Sequence, residues 1–208
     1  MKQPEARSNN ESVQKRQKAV AAERLAKNEA ANKAVAKKEF PNEIWVRADT
    51  IKLKHEKMPE NTESIIVAKS KLPINSQEEL DFLKEIKSAI ILKNHGSSVT
   101  LIPRIKDLIT GKYIAGPDAI VDGTLFEFKE VTGSLDKIGK NFIFSRKQGD
   151  NVYIRVANTN LSKRKVFEYF ARYINNPRYK GGYKGNIVFS FGTEDKTYFF
   201  KIKDFKKP

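Results

Sequence analysis

Asp118, Glu127 and Lys129 stand together in one stretch, Gly116-Pro117-Asp118-Ala119-Ile120-Val121-Asp122-Gly123-Thr124-Leu125-Phe126-Glu127-Phe128-Lys129. Successive side chains of a strand alternate faces, so Glu127 and Lys129 emerge together while Phe126 and Phe128 point into a core. Asp122-Gly123 between two apolar runs is a hairpin turn signal. If Asp118 lies on the partner strand, its carboxylate approaches Glu127, and two hard oxygen ligands converge on a space suited to Mg²⁺ or Mn²⁺. A divalent ion lowers the pKa of its water and neutralises phosphate, and the ammonium of Lys129 can orient the nucleophile or stabilise developing negative charge. Asp122 itself reads as turn chemistry.

Composition narrows the chemistry further. The 208 residues contain no cysteine and only two histidines, which excludes disulfides, thiol catalysis and cysteine-ligated metals. A net charge of +15 and a pI near 9.8 favour a polyanionic partner, of which nucleic acid is the commonest. No apolar run approaches the roughly 20 residues of a spanning helix, and the start MKQPEARSNN lacks a hydrophobic signal core, so a soluble chain without its own export signal is expected.

The elements that must position these groups are legible from Phe40 onward. Residues 1–40 form a basic Ala/Lys-rich segment, helical or disordered, with no core of its own and expected to be dispensable for chemistry. Residues 41–208 are expected to be the folded domain. Ser76-Gln77-Glu78-Glu79 is a capping-box pattern opening an amphipathic helix to about Lys93. Asn94-His95-Gly96 closes it. A strand at Val99–Ile102, the hairpin, a helix over about Ser134–Gln148, a strand at Val152–Val156, a helix over Ser162–Ile174 and strands at Ile187–Phe191 and Thr197–Ile202 follow. The order α-β-β-β-α-β-α-β-β predicts an α/β domain with a mixed sheet. Lone Trp45 reads as core edge.

Pro117-Asp118 followed by Glu127-Phe128-Lys129 resembles the PD-(D/E)xK nuclease superfamily over roughly residues 65–160. Within it, the helix ending in Gly, the Pro-Asp strand, the Glu-x-Lys strand and a later Gln-containing helix are similar to the toxin domains of contact-dependent growth inhibition and related polymorphic toxin systems. The resemblance implies a restriction-endonuclease-like mixed sheet flanked by helices, Mg²⁺-dependent cleavage of tRNA or DNA, action in a bacterial cytoplasm after delivery into a target cell, and a cognate immunity protein. It also implies a metal-facing Glu on the first helix. Of Glu78, Glu79 and Glu85, Glu79 falls in the middle of the face made by Leu83, Ile86 and Ile90, the others lying about 100° or more away. Glu79 is therefore the expected third ligand, with a capping partnership to Ser76 as its other reading. Gln148 matches the Gln of the family's second helix.

Basic residues interleaved with aromatics gather late in the chain. Arg178, Tyr179, Lys180, Tyr183 and Lys184 offer phosphate contacts and base stacking. Lys163 and Arg164 open a helix at the end that disfavours positive charge, which suits a ligand better than helix stability. Two other readings fit the composition: a non-catalytic nucleic-acid-binding module, and a phage- or secretion-associated structural protein working through its N-terminal segment.

Overall fold

The computed structural model describes residues 5–105, 109–110, 114, 116–146, 149–157, 160–176, 185–192 and 197–205. Helix α1 (Glu5–Glu39) is followed by strands β1 (Trp45–Arg47) and β2 (Ile66–Ala68), then α2 (Ser76–Asn94), β3 (Val99–Leu101), β4 (Ala119–Val121), β5 (Thr124–Val131), α3 (Leu135–Arg146), β6 (Val152–Val156), α4 (Lys163–Ile174), β7 (Asn186–Phe191) and β8 (Thr197–Lys201). The eight strands form one mixed sheet in sequence order, with parallel pairs β2/β3, β5/β6 and β6/β7 and antiparallel pairs elsewhere. The α/β class with a mixed sheet is thus as expected, enlarged by β1 and β2, which the sequence reading did not anticipate.

Alternation along the strands sorts the core into two faces. Ala119, Val121, Phe126, Phe128 and Tyr153 pack with Phe82, Ile86, Ala89 and Leu92 of α2 on one face. On the other, Val131, Val152, Ile154, Ile187 and Phe189 pack under Ile138 and Phe142 of α3 and Val166 and Phe170 of α4. The same second face carries Ile120 and Leu125 under Val35 and Ala36 of α1, with Ile102, Phe40 and Trp45 around them. Phe40 meets Trp45 edge-on at 6.4 Å, the core-edge position expected of the tryptophan.

The last turns of α1 thereby pack against the sheet through Val35 and Ala36. Residues 13–24 are exposed, in keeping with the lack of an apolar stripe. Asn32, however, is only 1% exposed. Its amide donates to Ser98 Oγ at 3.0 Å and to the Ile120 carbonyl at 3.2 Å, and its Oδ1 accepts from the Gly123 N–H at 2.6 Å. Gly123 follows Asp122 in a turn where both have positive φ (79° and 50°), and a Cβ on Gly123 would come within 2.9 Å of Ala31 Cβ. The turn chemistry expected of Asp122 is present, and its Oδ1 also accepts from the Ser98 N–H at 2.8 Å.

Helix α2 starts one residue earlier than the capping box suggested. Asn75 is the N-cap and accepts from the Glu78 N–H at 2.9 Å, while Glu78 Oε2 accepts from the Ile74 N–H at 3.2 Å. Reciprocal capping therefore belongs to Asn75 and Glu78 and leaves Glu79 to other partners. His95 is the C-cap, a helix-terminus role as its setting in Asn-His-Gly suggested.

Candidate active site

The hairpin β4–β5 brings the motif together. The Asp118 N–H donates to the Phe126 carbonyl at 2.9 Å, and the Asp118 carbonyl accepts from Ile102 at 3.0 Å, which fixes the backbone on both sides. Asp118 Oδ2 then accepts from the Phe128 N–H at 2.9 Å. Glu127 is anchored where its N–H donates to the Asn151 carbonyl at 3.0 Å, and Asn151 ties β5 to β7 through Leu125 and Asn186. The Lys129 ammonium donates to Glu127 Oε1, two residues along the same strand face. Asp118 and Glu127 line one cleft of about 180 Å³ with Phe40, Pro103, Arg104 and Pro117.

Three further residues complete the cluster: Lys71 and Arg104, which the sequence reading did not single out, and Glu85, which it ranked behind Glu79. Lys71, in a 3₁₀ turn just after β2, has a fully buried side chain whose Nζ lies 2.7 Å from Glu85 Oε2 and 3.8 Å from Asp118 Oδ1. Arg104 Nη2 donates to Glu85 Oε1 at 3.1 Å. The charged groups run Arg104, Glu85, Lys71, Asp118, Glu127, Lys129, alternating in sign except between Asp118 and Glu127. The pKa of Glu127 is pushed up to about 8, first by burial and then by the charge of Asp118, against the opposing pull of Lys129. Burial is also the main cause that raises Glu85, with Asp118 adding to it and Lys71 and Arg104 working against it. Asp118 and Glu127 are the like-charged neighbours of this run.

Glu79 does not join this cluster, contrary to the expectation. The helical geometry rightly buries it, at 3% exposure, but its carboxylate accepts the N–H groups of Lys54, His55 and Glu56 at 2.8, 2.9 and 3.0 Å. Burial raises its pKa, but these three donors outweigh burial and leave it below the ordinary value. Both oxygens are committed to holding the loop before β2. Glu85, set aside for lying off the apolar face, is the α2 carboxylate that reaches Asp118's neighbourhood. Flanked by two cations, it does not need an apolar face. Among the described residues no group of three or more His, Cys, Asp and Glu side chains is placed to hold a metal ion, so the three-ligand set with Glu79 is not assembled. Asp118 and Glu127 suit Mg²⁺ or Mn²⁺ as a pair, since Mg²⁺ commonly takes one or two carboxylates and fills its remaining positions with water and phosphate oxygens.

Gln148 lies outside the described residues, as do Arg178, Tyr179, Lys180, Tyr183 and Lys184. Lys163 and Arg164 open α4 as expected. Ser162 caps that helix, Lys163 donates to Tyr198 Oη at 2.9 Å, and Arg164 pairs with Glu168 at 3.5 Å, its side chain 85% exposed.

The mixed α/β sheet thus places Asp118 and Glu127 in the lining of one cleft, with Lys129 bonded to Glu127 beside it. Residues 116–193, the stretch beginning at the Pro-Asp pair and running through β7, match the family model "Contact-dependent growth inhibition CdiA C-terminal domain". No curated protein matches. A chain from the solved "CdiA-CT/CdiI toxin and immunity complex from Burkholderia pseudomallei" aligns with 65% of this chain and 98% of its own length, at 17% identity and a TM-score of 0.46. Among the described residues no helix is long and apolar enough to cross a membrane.

Proposed function

We propose that the chain is a metal-dependent nuclease acting as the toxin domain of a contact-dependent growth inhibition system, delivered into a target cell and hydrolysing phosphodiester bonds in tRNA or DNA. The observation that carries the reading is the single break in charge alternation, where buried Glu127 abuts Asp118 beside Lys129 in an open cleft. The match of residues 116–193 to the growth-inhibition family model supports the toxin role. In that role a cognate immunity protein accompanies the chain.

Asp118 and Glu127 would hold Mg²⁺ or Mn²⁺, which supplies charge neutralisation at phosphate and acidifies a coordinated water. Asp118 is preset for this by the Phe128 N–H, and Glu127 by its strand anchor at Asn151. Lys129, partly exposed at 26%, presents an ammonium to the attacking water or to the negative charge that builds on the phosphate as the ester bond breaks. Arg104 lines the same cleft and offers a guanidinium to a neighbouring phosphate. Lys163 and Arg164, with the basic aromatic segment at residues 178–184, supply affinity along the strand.

The test is incubation with tRNA, plasmid and single-stranded DNA, each with Mg²⁺ or with EDTA, beside Asp118→Ala, Glu127→Ala and Lys129→Ala. Each variant is expected to lose nearly all cleavage while remaining folded and able to bind. The double variant Asp118→Ala/Glu127→Ala is expected to be hardly worse than either single one. Full activity in EDTA, or wild-type rates in the carboxylate variants, overturns the reading.

A further inference from the structure

The fully buried ammonium of Lys71 has no part in the chemistry proposed above, although it touches the same carboxylate. In two-metal phosphodiester sites the ions stand roughly 3.5–4 Å apart and share a carboxylate. Here Asp118 faces Glu127 on one side and has Lys71 Nζ 3.8 Å from Oδ1 on the other. Glu85, the carboxylate that would complete a second ion's shell, already faces two cations, Lys71 Nζ at 2.7 Å from Oε2 and Arg104 Nη2 at 3.1 Å from Oε1. We propose that Lys71 is a built-in second cation, occupying the position of a second metal ion, so that the cluster takes one divalent ion between Asp118 and Glu127 and excludes another.

The inference rests on the metal-dependent reading of the site and extends it from presence to number. Electrostatics gives the reason. A lysine side chain wholly inside the protein keeps its charge only beside partners, and Glu85 with Asp118 provides them. A dication entering between those two carboxylates would face the ammonium at contact distance with no water to screen it. The lysine therefore acts as a tethered monovalent substitute, fixing Asp118 without the geometric demands of a metal.

Titrating Mn²⁺ into the full chain, by calorimetry for the count and by electron paramagnetic resonance for the environment, decides the matter without any cleavage assay. Wild type is expected to take one ion with an uncoupled six-line spectrum that disappears in Asp118→Ala/Glu127→Ala. Lys71→Arg should also take one. Lys71→Met, which keeps the volume and removes the charge, should take two ions whose spectra show exchange coupling through Asp118. Lys71→Met/Glu85→Gln, which removes both members of the buried pair, should return the count to one. Two coupled ions in wild type overturn the inference and leave the nuclease reading standing, as does a folded Lys71→Met that still takes one. No ion in wild type overturns the metal reading and the inference with it. Should Lys71→Met fail to fold, the wild-type count and Lys71→Arg decide between one ion and two.

Discussion

Replacing Asn32 by alanine should cost far more than a surface position on a basic helix would suggest. The side chain is buried where α1 crosses the β4–β5 hairpin, and its loss strands the Gly123 N–H that now donates at 2.6 Å, besides removing the donor to the Ile120 carbonyl and Ser98 Oγ. A buried group left without its partner costs about 1–3 kcal/mol. The carbonyl has a second lone pair and the hydroxyl can rotate, so the stranded N–H dominates and the sum is roughly 2–4 kcal/mol. For a domain of this size that corresponds to a fall in Tm of about 4–16 °C. Urea unfolding should show a lower midpoint with an unchanged slope. Hydrogen exchange at Gly123 should accelerate. A loss below about 0.5 kcal/mol, within the range of ordinary surface substitutions, would refute the claim that α1 is docked through this residue. A chain beginning at Ala21 should keep wild-type stability, whereas one beginning at Phe40 should lose more than Asn32→Ala, because Ala36 leaves with it.

Glu127→Gln should stabilise the metal-free protein in a pH-dependent way. The folded pKa lies near 8 against 4.5 for the unenclosed group, so wild-type stability is undiminished below about pH 4.5 and falls as pH rises towards 8, by roughly 1.4 kcal/mol per pH unit within that window. The gap between the two melts should therefore open over that range and narrow when Mg²⁺ is added to wild type; equal melts at pH 4 and pH 8 would count against it. Glu79→Gln should lower the melting temperature at neutral pH while sparing cleavage, and should flatten the acid limb of the wild-type stability profile, because a carboxylate with a depressed pKa loses its contribution as pH falls through that value; lost turnover with an intact melt would return Glu79 to the site. Arg164→Ala should weaken nucleic-acid binding and reduce its salt slope by about one unit, without changing single-turnover cleavage at saturation; an unchanged slope removes this residue from the interface.

What the sequence revealed and what it hid follow from the range over which each signal acts. The hairpin was legible because Asp122-Gly123 and the period-2 alternation around it are local, and the motif's placement on it followed. Helices α2 and α4 were legible from their spacing and caps. Strands β1 and β2 are three residues each, too short to show a period, and exist only because β3 offers an edge. The docked end of α1 was hidden for a different reason: its deepest residue is an asparagine, which periodicity counts as polar. Only the four groups it meets, from Ser98 to Gly123, make its burial affordable.

The same limit explains the exchange of Glu79 for Glu85. Ranking carboxylates by their distance from an apolar stripe identifies which one is buried, and Glu79 is buried, but burial does not say what satisfies it. Three successive backbone N–H groups from residues 54–56 do so for Glu79, as neutral donors that ask nothing of a metal. Glu85 is instead paired with Lys71 and Arg104, cations delivered from just beyond β2 and β3, remote in sequence and individually indistinguishable from surface charge. Lys71 in Lys69-Ser70-Lys71 looks solvated until the sheet places it beneath Asp118. A site built from alternating charges thus hides half its members from a linear reading, and the members it shows, Asp118, Glu127 and Lys129, include the one pair of like-charged neighbours. Its remaining order follows from that one repulsion: Lys129 pairs with Glu127 and Lys71 lies 3.8 Å from Asp118, and on the metal-dependent reading proposed above a divalent ion would be held by the two carboxylates together.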